Sequence, residues 1–458
     1  MKIIVCGAGQ VGFNIARHLS DQQHDVTVID RSGELIRKIQ DSLDVQAIEG
    51  YASDPALLDQ AGAEDAELLI AVTWSDEVNM IACQVADTLF QVPTKIARVR
   101  NQAYLQPAYS DLFTNDSMPI DVIISPEREV AEAIFRRLEV PGAFDMIALA
   151  EGAVRVVGAM LPEDCPILLT PLRHLTELFP SLAMRTLAIR REERIFLPTG
   201  DDHFEAGDSV YFTVPPDSVA RAMDTLGHKE QAARRIIIAG GGNVGLFLAQ
   251  MIEDRAPYVN AKVIEKDEDR AGAVADALDR TVVLHGDALD MDILREANVR
   301  ATETIVTTAN DDETNILSAL LAKRQGCDRA IALVNNPVYS PLVGSLGLDV
   351  VVDPRETTVS RVLQHVRKGR IRAVQSLWGG AVEVLDTEVM ETSPLAGKTV
   401  ETGKLPDGVI VGAVVRDGRV LAPDPDTEFQ AHDRVIMLAE PKAVSKVEQL
   451  FSVRLEFF

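Results

Sequence analysis

Two glycine clusters carry the clearest chemistry in the chain. Gly7-Ala8-Gly9-Gln10-Val11-Gly12 follows the apolar run Ile3-Ile4-Val5, and Gly240-Gly241-Gly242-Asn243-Val244-Gly245 follows Ile236-Ile237-Ile238. Each cluster precedes an amphipathic stretch. Glycines between a strand and a helix permit a tight turn and let a pyrophosphate approach the backbone. The phosphate then sits at the helix N-terminus, in the field of N–H groups that have no partner inside the helix. The middle glycines, Gly9 and Gly242, are expected at positive φ, where a β-branched side chain is strained and would also fill the pyrophosphate space. Asp30 and Glu265 follow the last glycines by 18 (30 − 12) and 20 (265 − 245) residues. That is the spacing of a carboxylate at the end of the second strand that accepts hydrogen bonds from a ribose. Carboxylates there repel a 2′-phosphate and favour NAD over NADP. Arg31 and Lys266 follow immediately, as counterweights to that preference or as ordinary surface charges.

Further candidates lie where each sheet would present its carboxyl edge. Asp54 and Asp290 follow Gly50 and Gly286 after the third strand, and either face the adenosine or cap the next helix. Thr73 and Ala309 close the fourth strand, at the edge where open α/β sheets bind ligands. After the fifth strand the two halves differ. Arg98-Val99-Arg100 stands where the later half has Val334-Asn335-Asn336. Two arginines can clamp additional phosphates, which suits the first site to ATP or ADP as well as NAD(H); the alternative is a solvated basic strand end.

Nothing in the chain supplies hydride-transfer or hydrolytic machinery beside these cradles. The 8 histidines do not recur at equivalent positions. The pair Tyr258…Lys262 has the spacing of a short-chain dehydrogenase couple but enters the second strand of its unit, too early for that role. HExxH, GxSxG and GxxxxGK[ST] are absent. Cys6, Cys83, Cys165 and Cys327 are dispersed, which excludes a sequence-local zinc site and indicates a reducing compartment. Two cofactor cradles without a catalytic constellation indicate a sensor; a soluble NAD-dependent oxidoreductase and a scaffold with vestigial sites are the alternatives.

The elements that must position these residues occur twice. The glycine clusters are offset by 233 (240 − 7), and Asp54-Pro55-Ala56-Leu57-Leu58 aligns with Asp290-Met291-Asp292-Ile293-Leu294 at 236 (290 − 54). Asp76-Glu77-Val78-Asn79 aligns with Asp312-Glu313-Thr314-Asn315, and Pro198…Phe204…Asp208 with Pro423…Phe429…Asp433. Four matches in one order establish a duplication. Short β-branched runs alternate with helical stretches in the first part of each copy, which predicts a parallel sheet buried on both faces. A helix is expected after Pro126 and after Pro354, the second with the stripe Val359, Val362, Leu363 and Val366. The fold class is therefore α/β: two tandem Rossmann-like domains, 1–138 and 232–367, each followed by a small α+β domain, 139–228 and 370–458. Gly227-His228-Lys229-Glu230 is expected to link the copies, and Arg367-Lys368-Gly369-Arg370 two domains.

Composition narrows the partners. A formal charge of −25 argues against nucleic acid and is compatible with a basic protein surface. No signal peptide and no apolar run of membrane-spanning length is read from the chain, so a cytoplasmic location with at most peripheral membrane association is expected.

The order GxGxxG, acidic strand end, Gly50-Tyr51-Ala52-Ser53-Asp54 or Gly286-Asp287-Ala288-Leu289-Asp290, then Asp-Glu-x-Asn, resembles the RCK (KTN) family that regulates potassium conductance. The resemblance covers essentially the whole chain. It implies a homotetrameric ring of eight units, beneath a membrane potassium-translocating subunit that the ring gates. It also implies binding of NAD(H) and adenine nucleotides. Carried over by position, the phosphate cradles are Gly7–Gly12 and Gly240, Gly242, Asn243, Val244 and Gly245, and the ribose carboxylates Asp30 and Glu265. Asp54, Asp290, Thr73, Ala309, Arg98 and Arg100 complete the implied set. Tyr51-Ala52, where the family often has a shorter polar turn, and the missing arginines of copy two are the departures.

Overall fold

The computed structural model describes residues 1–114, 117–179, 182–230, 232–336, 338–339, 346–363, 365–366 and 371–451. The proposed linker 367–370 lies outside them. Copy one begins with six strands, β1 (Lys2–Cys6), β2 (Asp25–Asp30), β3 (Gln46–Glu49), β4 (Leu68–Ala71), β5 (Thr94–Arg98) and β6 (Val122–Ile124), in the order β3-β2-β1-β4-β5-β6. All neighbouring pairs are parallel, from Lys2↔Asp25 to Cys6↔Ile29 between β1 and β2. Because side chains alternate along a strand, Ile3 and Val5 enter one apolar layer and Ile4 and Cys6 the other. Burial on both faces explains why β1 reads as a continuous β-branched run.

Next come five antiparallel strands: β7 (Ala143–Leu149), β8 (Val154–Met160), β9 (Arg185–Arg191), β10 (Arg194–Phe196) and β11 (Ser209–Val214), ordered β10-β9-β11-β8-β7. Copy two repeats the plan. Strands β12 (Arg235–Ala239), β13 (Asn260–Glu265), β14 (Val282–His285), β15 (Thr304–Thr307), β16 (Arg329–Leu333) and β17 (Val350–Val352) take the order β14-β13-β12-β15-β16-β17. An antiparallel sheet follows, β18 (Ile371–Leu377), β19 (Val382–Glu388), β20 (Val409–Arg416), β21 (Arg419–Leu421) and β22 (Arg434–Ala439), ordered β18-β19-β22-β20-β21. The α/β class and the tandem plan expected from the sequence are what the chain adopts.

The chain divides into two compact units that do not coincide with the two copies. The first comprises 1–131, 334–337 and 352–366; the second comprises 132–333, 338–351 and 367–458. The helix Pro354–Leu363 belongs to the first unit, and its stripe lies in the core of copy one: Val362, Leu363 and Val366 are buried among Ile3, Val5, Ile15 and Leu19, with Val359 packed against them. The periodicity announced an apolar face but not which copy would cover it. In the second unit, Glu132 of the helix Pro126–Glu139 pairs with Arg255 of copy two at 2.9 Å, and Phe135 lies 5.6 Å below that guanidinium.

Within the second unit the two antiparallel sheets share one core. Val156, Leu187 and Tyr211 are buried with Val384, Ala413 and Leu438, and Tyr211 meets Trp378 edge-on at 4.8 Å. Gly412 is needed at that contact, since a Cβ there would stand 2.6 Å from Leu187 Cδ2. The repeated Phe and Asp of the two small domains are structural. Phe204 and Phe429 are buried. Asp208 and Asp433, both buried, each accept a guanidinium fork, from Arg191 and Arg416, at 2.7–2.9 Å. His228 of the inter-copy segment is tied down, with Nε2 2.8 Å from the carbonyl of Met160.

Candidate nucleotide sites

Each parallel sheet reverses strand order between its first and fourth strands, and the glycine loop leaves the first strand there. Such a switch point leaves a crevice at the carboxyl edge. In copy one the loop turns at Gly7, φ +113°, whose N–H donates to Ile29 O at 2.7 Å. A Cβ on Gly7 would stand 3.0 Å from Thr73 N, and one on Gly12 1.8 Å from Gly7 O, so both glycines are required by packing. Copy two matches: Gly240 has φ +115°, and a Cβ on Gly245 would stand 2.0 Å from Gly240 O. The middle glycines depart from expectation. Gly9 and Gly242 have φ −62° and −58°, ordinary for any residue, and among the described residues nothing beyond the adjoining chain lies within 4 Å of a Cβ at either. Their requirement is therefore open space in front of the helix, not backbone strain.

The helices Gln10–Asp21 and Asn243–Arg255 start at these open positions without a side-chain cap and without an acidic residue in the first turn. Elsewhere Ser32, Ser75, Asp267 and Asp311 cap their helices. Bare N–H groups and an uncompensated dipole end suit an anion. Gln10, Val11, Asn243 and Val244 supply the backbone of these first turns, whereas Ala8 precedes its helix and its N–H is taken by Asp30.

Asp30 and Glu265 lie beside the loops, held by backbone donors. Asp30 accepts from Ala8 N at 2.6 Å and from Ser32 N at 2.8 Å; Glu265 accepts from Gly241 N at 2.6 Å and from Asp267 N at 2.9 Å. Arg31 is exposed, whereas Lys266 pairs with Asp287 at 2.8 Å. Asp54 and Asp290 follow the capping alternative: Asp54 accepts from Ala56 N at 2.9 Å and Asp290 from Asp292 N at 2.8 Å. Thr73 and Ala309 lie two residues beyond β4 and β15 rather than closing them.

The Asp-Glu-x-Asn match explains how these ends are fixed. Asn79 is buried at the start of the helix Asp76–Phe90, where its Oδ1 accepts from Thr73 N at 2.8 Å. Its Nδ2 donates to the carbonyls of Thr73 and Arg98. Asn315 repeats this with Ala309 and Leu333 at 2.8–2.9 Å. Asp76 accepts the N–H groups of Arg100 and Asn101 at 2.9 and 2.7 Å. Sequence comparison exposed the motif without its task, because both acceptor carbonyls of each asparagine belong to backbone.

Arg98 is not a solvated strand end. Its Nη2 donates to Thr73 O at 2.7 Å, and its Nε is buried without a hydrogen-bond partner among the described residues. Burial, reinforced by neighbouring Arg100, lowers its pKa. Arg100 bonds Glu127 Oε1 through Nε at 3.1 Å and lies 4.8 Å from the ring of Trp74, which is 79% exposed. Arg98 therefore directs its guanidinium toward the Thr73 loop, with the carboxylates of Glu127 and Asp76 acting on it from nearby, while Arg100 bonds Glu127 directly.

Other features lie away from the cradles. Tyr258 is exposed, and Lys262 Nζ donates to Ala297 O at 3.0 Å. The four cysteines are free and buried, and burial pushes Cys6 up to about 12. Among the described residues no cluster could hold a metal, and no helix is long and apolar enough to cross a membrane. A cleft of about 800 Å³ bordered by Gly142, His228, Thr304 and Arg329 opens at the amino ends of β15 and β16, opposite the glycine loop.

The TrkA-N domain family model matches residues 3–126 and 236–354, and the TrkA-C domain model residues 156–227 and 386–452. The chain is 49% identical to the Trk system potassium uptake protein TrkA of Azorhizobium caulinodans, over 100% of both chains. It is 40% identical to the protein of that name from Halomonas elongata, again over 100% of both. Among solved structures, the GsuK RCK domain superposes with TM-score 0.58 at 18% identity, covering 98% of this chain and 94% of that one. The GsuK channel bound to NAD gives TM-score 0.59 at 18% identity, covering 98% and 78%.

Proposed function

Because this chain belongs to the TrkA family of Trk system potassium uptake proteins, we propose that it is a nucleotide-sensing regulatory subunit and not an enzyme. In this reading it is cytoplasmic and peripheral, and gates a membrane potassium-translocating subunit of the TrkH or TrkG kind. Copy one (Rossmann 1–138, small domain 139–228) and copy two (232–367 and 370–458) are each one sensing unit. A homotetramer closes eight such units into a ring.

The observation that carries the reading is the pair of uncapped, glycine-headed helices, each with a backbone-anchored carboxylate beside it and open space before Gly9 or Gly242. NAD(H) would place its pyrophosphate at that space and its adenosine ribose on Asp30 or Glu265. The neighbouring GsuK channel bound to NAD supports the ligand class. ATP or ADP is assigned to copy one, where Arg98 and Arg100 would meet the terminal phosphates. A phosphate that draws Arg98 off Thr73 O disturbs a loop which Asn79 also clamps and against which Gly7 packs. Binding is thereby coupled to the backbone at the switch point. Gating then follows as a shift between ring geometries, and a coupling of about 1–3 kcal/mol suffices.

The test is functional. The purified protein should bind NADH without oxidising it across a panel of aldehydes, ketones and hydroxy acids, and should change potassium flux through the co-reconstituted membrane subunit when nucleotide is added. Robust turnover of NADH would favour the soluble oxidoreductase instead.

A further inference from the structure

Copy two has a cation at its cradle that comes from a helix rather than from a strand end. Arg270 is the third residue of the helix Glu268–Asp276, whose N-cap Asp267 accepts the Arg270 N–H at 2.8 Å. From there the side chain turns back over the glycine loop. Its Nε donates to Gly241 O at 2.7 Å and its Nη2 to Asn243 Oδ1 at 3.3 Å. Gly241 is thus gripped from both sides, because its N–H goes to Glu265. Nη1 has no hydrogen bond, and Arg270 forms no ion pair, among the described residues. A guanidinium beside the uncapped N-terminus of the helix Asn243–Arg255 adds positive charge to a positive dipole end; Glu265 on the Gly241 N–H offsets part of it, and an anion before Gly242 would meet both the guanidinium and the helix end.

Copy one spends the equivalent position otherwise. Leu35 is the third residue of the helix Gly33–Ser42, its N–H is accepted by the N-cap Ser32, and its side chain packs against the core. Arg98 and Arg100 of copy one stand on the other flank of the sheet, at and just past the end of β5, and Arg31 on its second-strand side is exposed. The guanidinium groups bonded to backbone at the two cradles therefore stand on different sides: Arg98, on Thr73 O, on the β5 side in copy one, and Arg270, on Gly241 O, on the second-strand side in copy two.

We propose that Arg270 is the specificity-determining residue of copy two, and that it binds a phosphate on the adenosine half of a dinucleotide. This rests on the reading of copy two as a dinucleotide site. The phosphate is either the adenosine 5′-phosphate or a 2′-phosphate, two sources of one phosphate-oxygen chemistry. Copy two then recognises a dinucleotide without needing the terminal phosphates that the arginines of copy one would hold.

The experiment uses the full-length protein carrying Gly9→Val, so that only copy two reports, titrated calorimetrically with NADH and with NADPH. Arg270→Leu, which installs the residue type of copy one, is expected to weaken binding roughly tenfold or more and to flatten its salt dependence. Arg270→Lys should recover part of the loss, because it keeps the charge without the fork. Equal losses for the two ligands assign the 5′-phosphate, and a loss confined to NADPH assigns the 2′-phosphate. Unchanged affinity for both in Arg270→Leu, while Gly242→Val abolishes binding, overturns the role of Arg270 alone. Binding that survives Gly242→Val overturns the dinucleotide reading of copy two together with this one.

Discussion

At the scale of single residues, the glycines of one motif have different reasons to be glycine, and the reasons predict different phenotypes. Gly12 abuts Gly7 O, so Gly12→Ala overpacks the turn and should cost about 1–3 kcal/mol of stability. Gly9 and Gly242 have permissive backbone and face open space, so Gly9→Val and Gly242→Val should leave the melting temperature nearly unchanged. Each should nevertheless lower nucleotide stoichiometry by about half, one copy at a time, since the new side chain enters the space assigned to pyrophosphate. Loss of all binding from one substitution, in a protein still assembled, would contradict two independent sites. The arginines give a second expectation. Arg98→Ala combined with Arg100→Ala removes charge-assisted contacts worth roughly 1.5–3 kcal/mol when well formed, hence about tenfold or more in ATP affinity. NAD binding at copy two should hardly move. Unchanged ATP affinity in titration of the double variant would show that these guanidinium groups do not meet phosphate.

At the scale of elements, the helix Pro354–Leu363 serves the core of the copy to which it does not belong in sequence. Leu363→Ala should cost about 2–5 kcal/mol, as for other buried leucines. The loss should appear in amide exchange of β1 and β2, beside the helix Gln10–Asp21 that it packs on, rather than in β12 and β13. Faster exchange confined to copy two would refute that packing. The small domains depend on a second kind of element contact. The Asp208–Arg191 and Asp433–Arg416 forks sit with carboxylates 1% exposed, so removing one partner strands a buried charge. That penalty is the same in both copies.

At the scale of the whole molecule, a formal charge of −25 works at long range only while salt is low. If the membrane subunit presents a basic face, association should weaken between roughly 0.01 M and 0.15 M salt, as the Debye length shortens from about 30 Å to about 8 Å. Co-sedimentation with partner-containing vesicles measures this. Salt-independent association would assign the acidic surface to solubility alone. The two copies share one strand order but hold different guanidinium groups at their cradles, Arg98 on Thr73 O in copy one and Arg270 on Gly241 O in copy two.

Local chemistry was legible in the residues themselves. The β-branched runs, the glycine spacing and the acidic strand ends determined the α/β class because they depend on neighbours close in sequence, and the four ordered matches determined the tandem plan because they need only the order of residues. What depends on distant partners was not legible. The sequence offered Asp54 and Asp290 as ligand-facing or as helix caps, and only the fold shows the cap bonds to Ala56 N and Asp292 N. Asn79 and Asn315 were a motif without a task, since the carbonyls they hold at Arg98 and Leu333 are 19 and 18 residues away. Arg270 carries no motif in the sequence and reaches the glycine loop only through the fold, and the stripe of Val362 and Leu363 could not name the copy it covers. Tertiary structure decided these because a side chain states what it can bond or bury, whereas the path of the chain decides which partner reaches it.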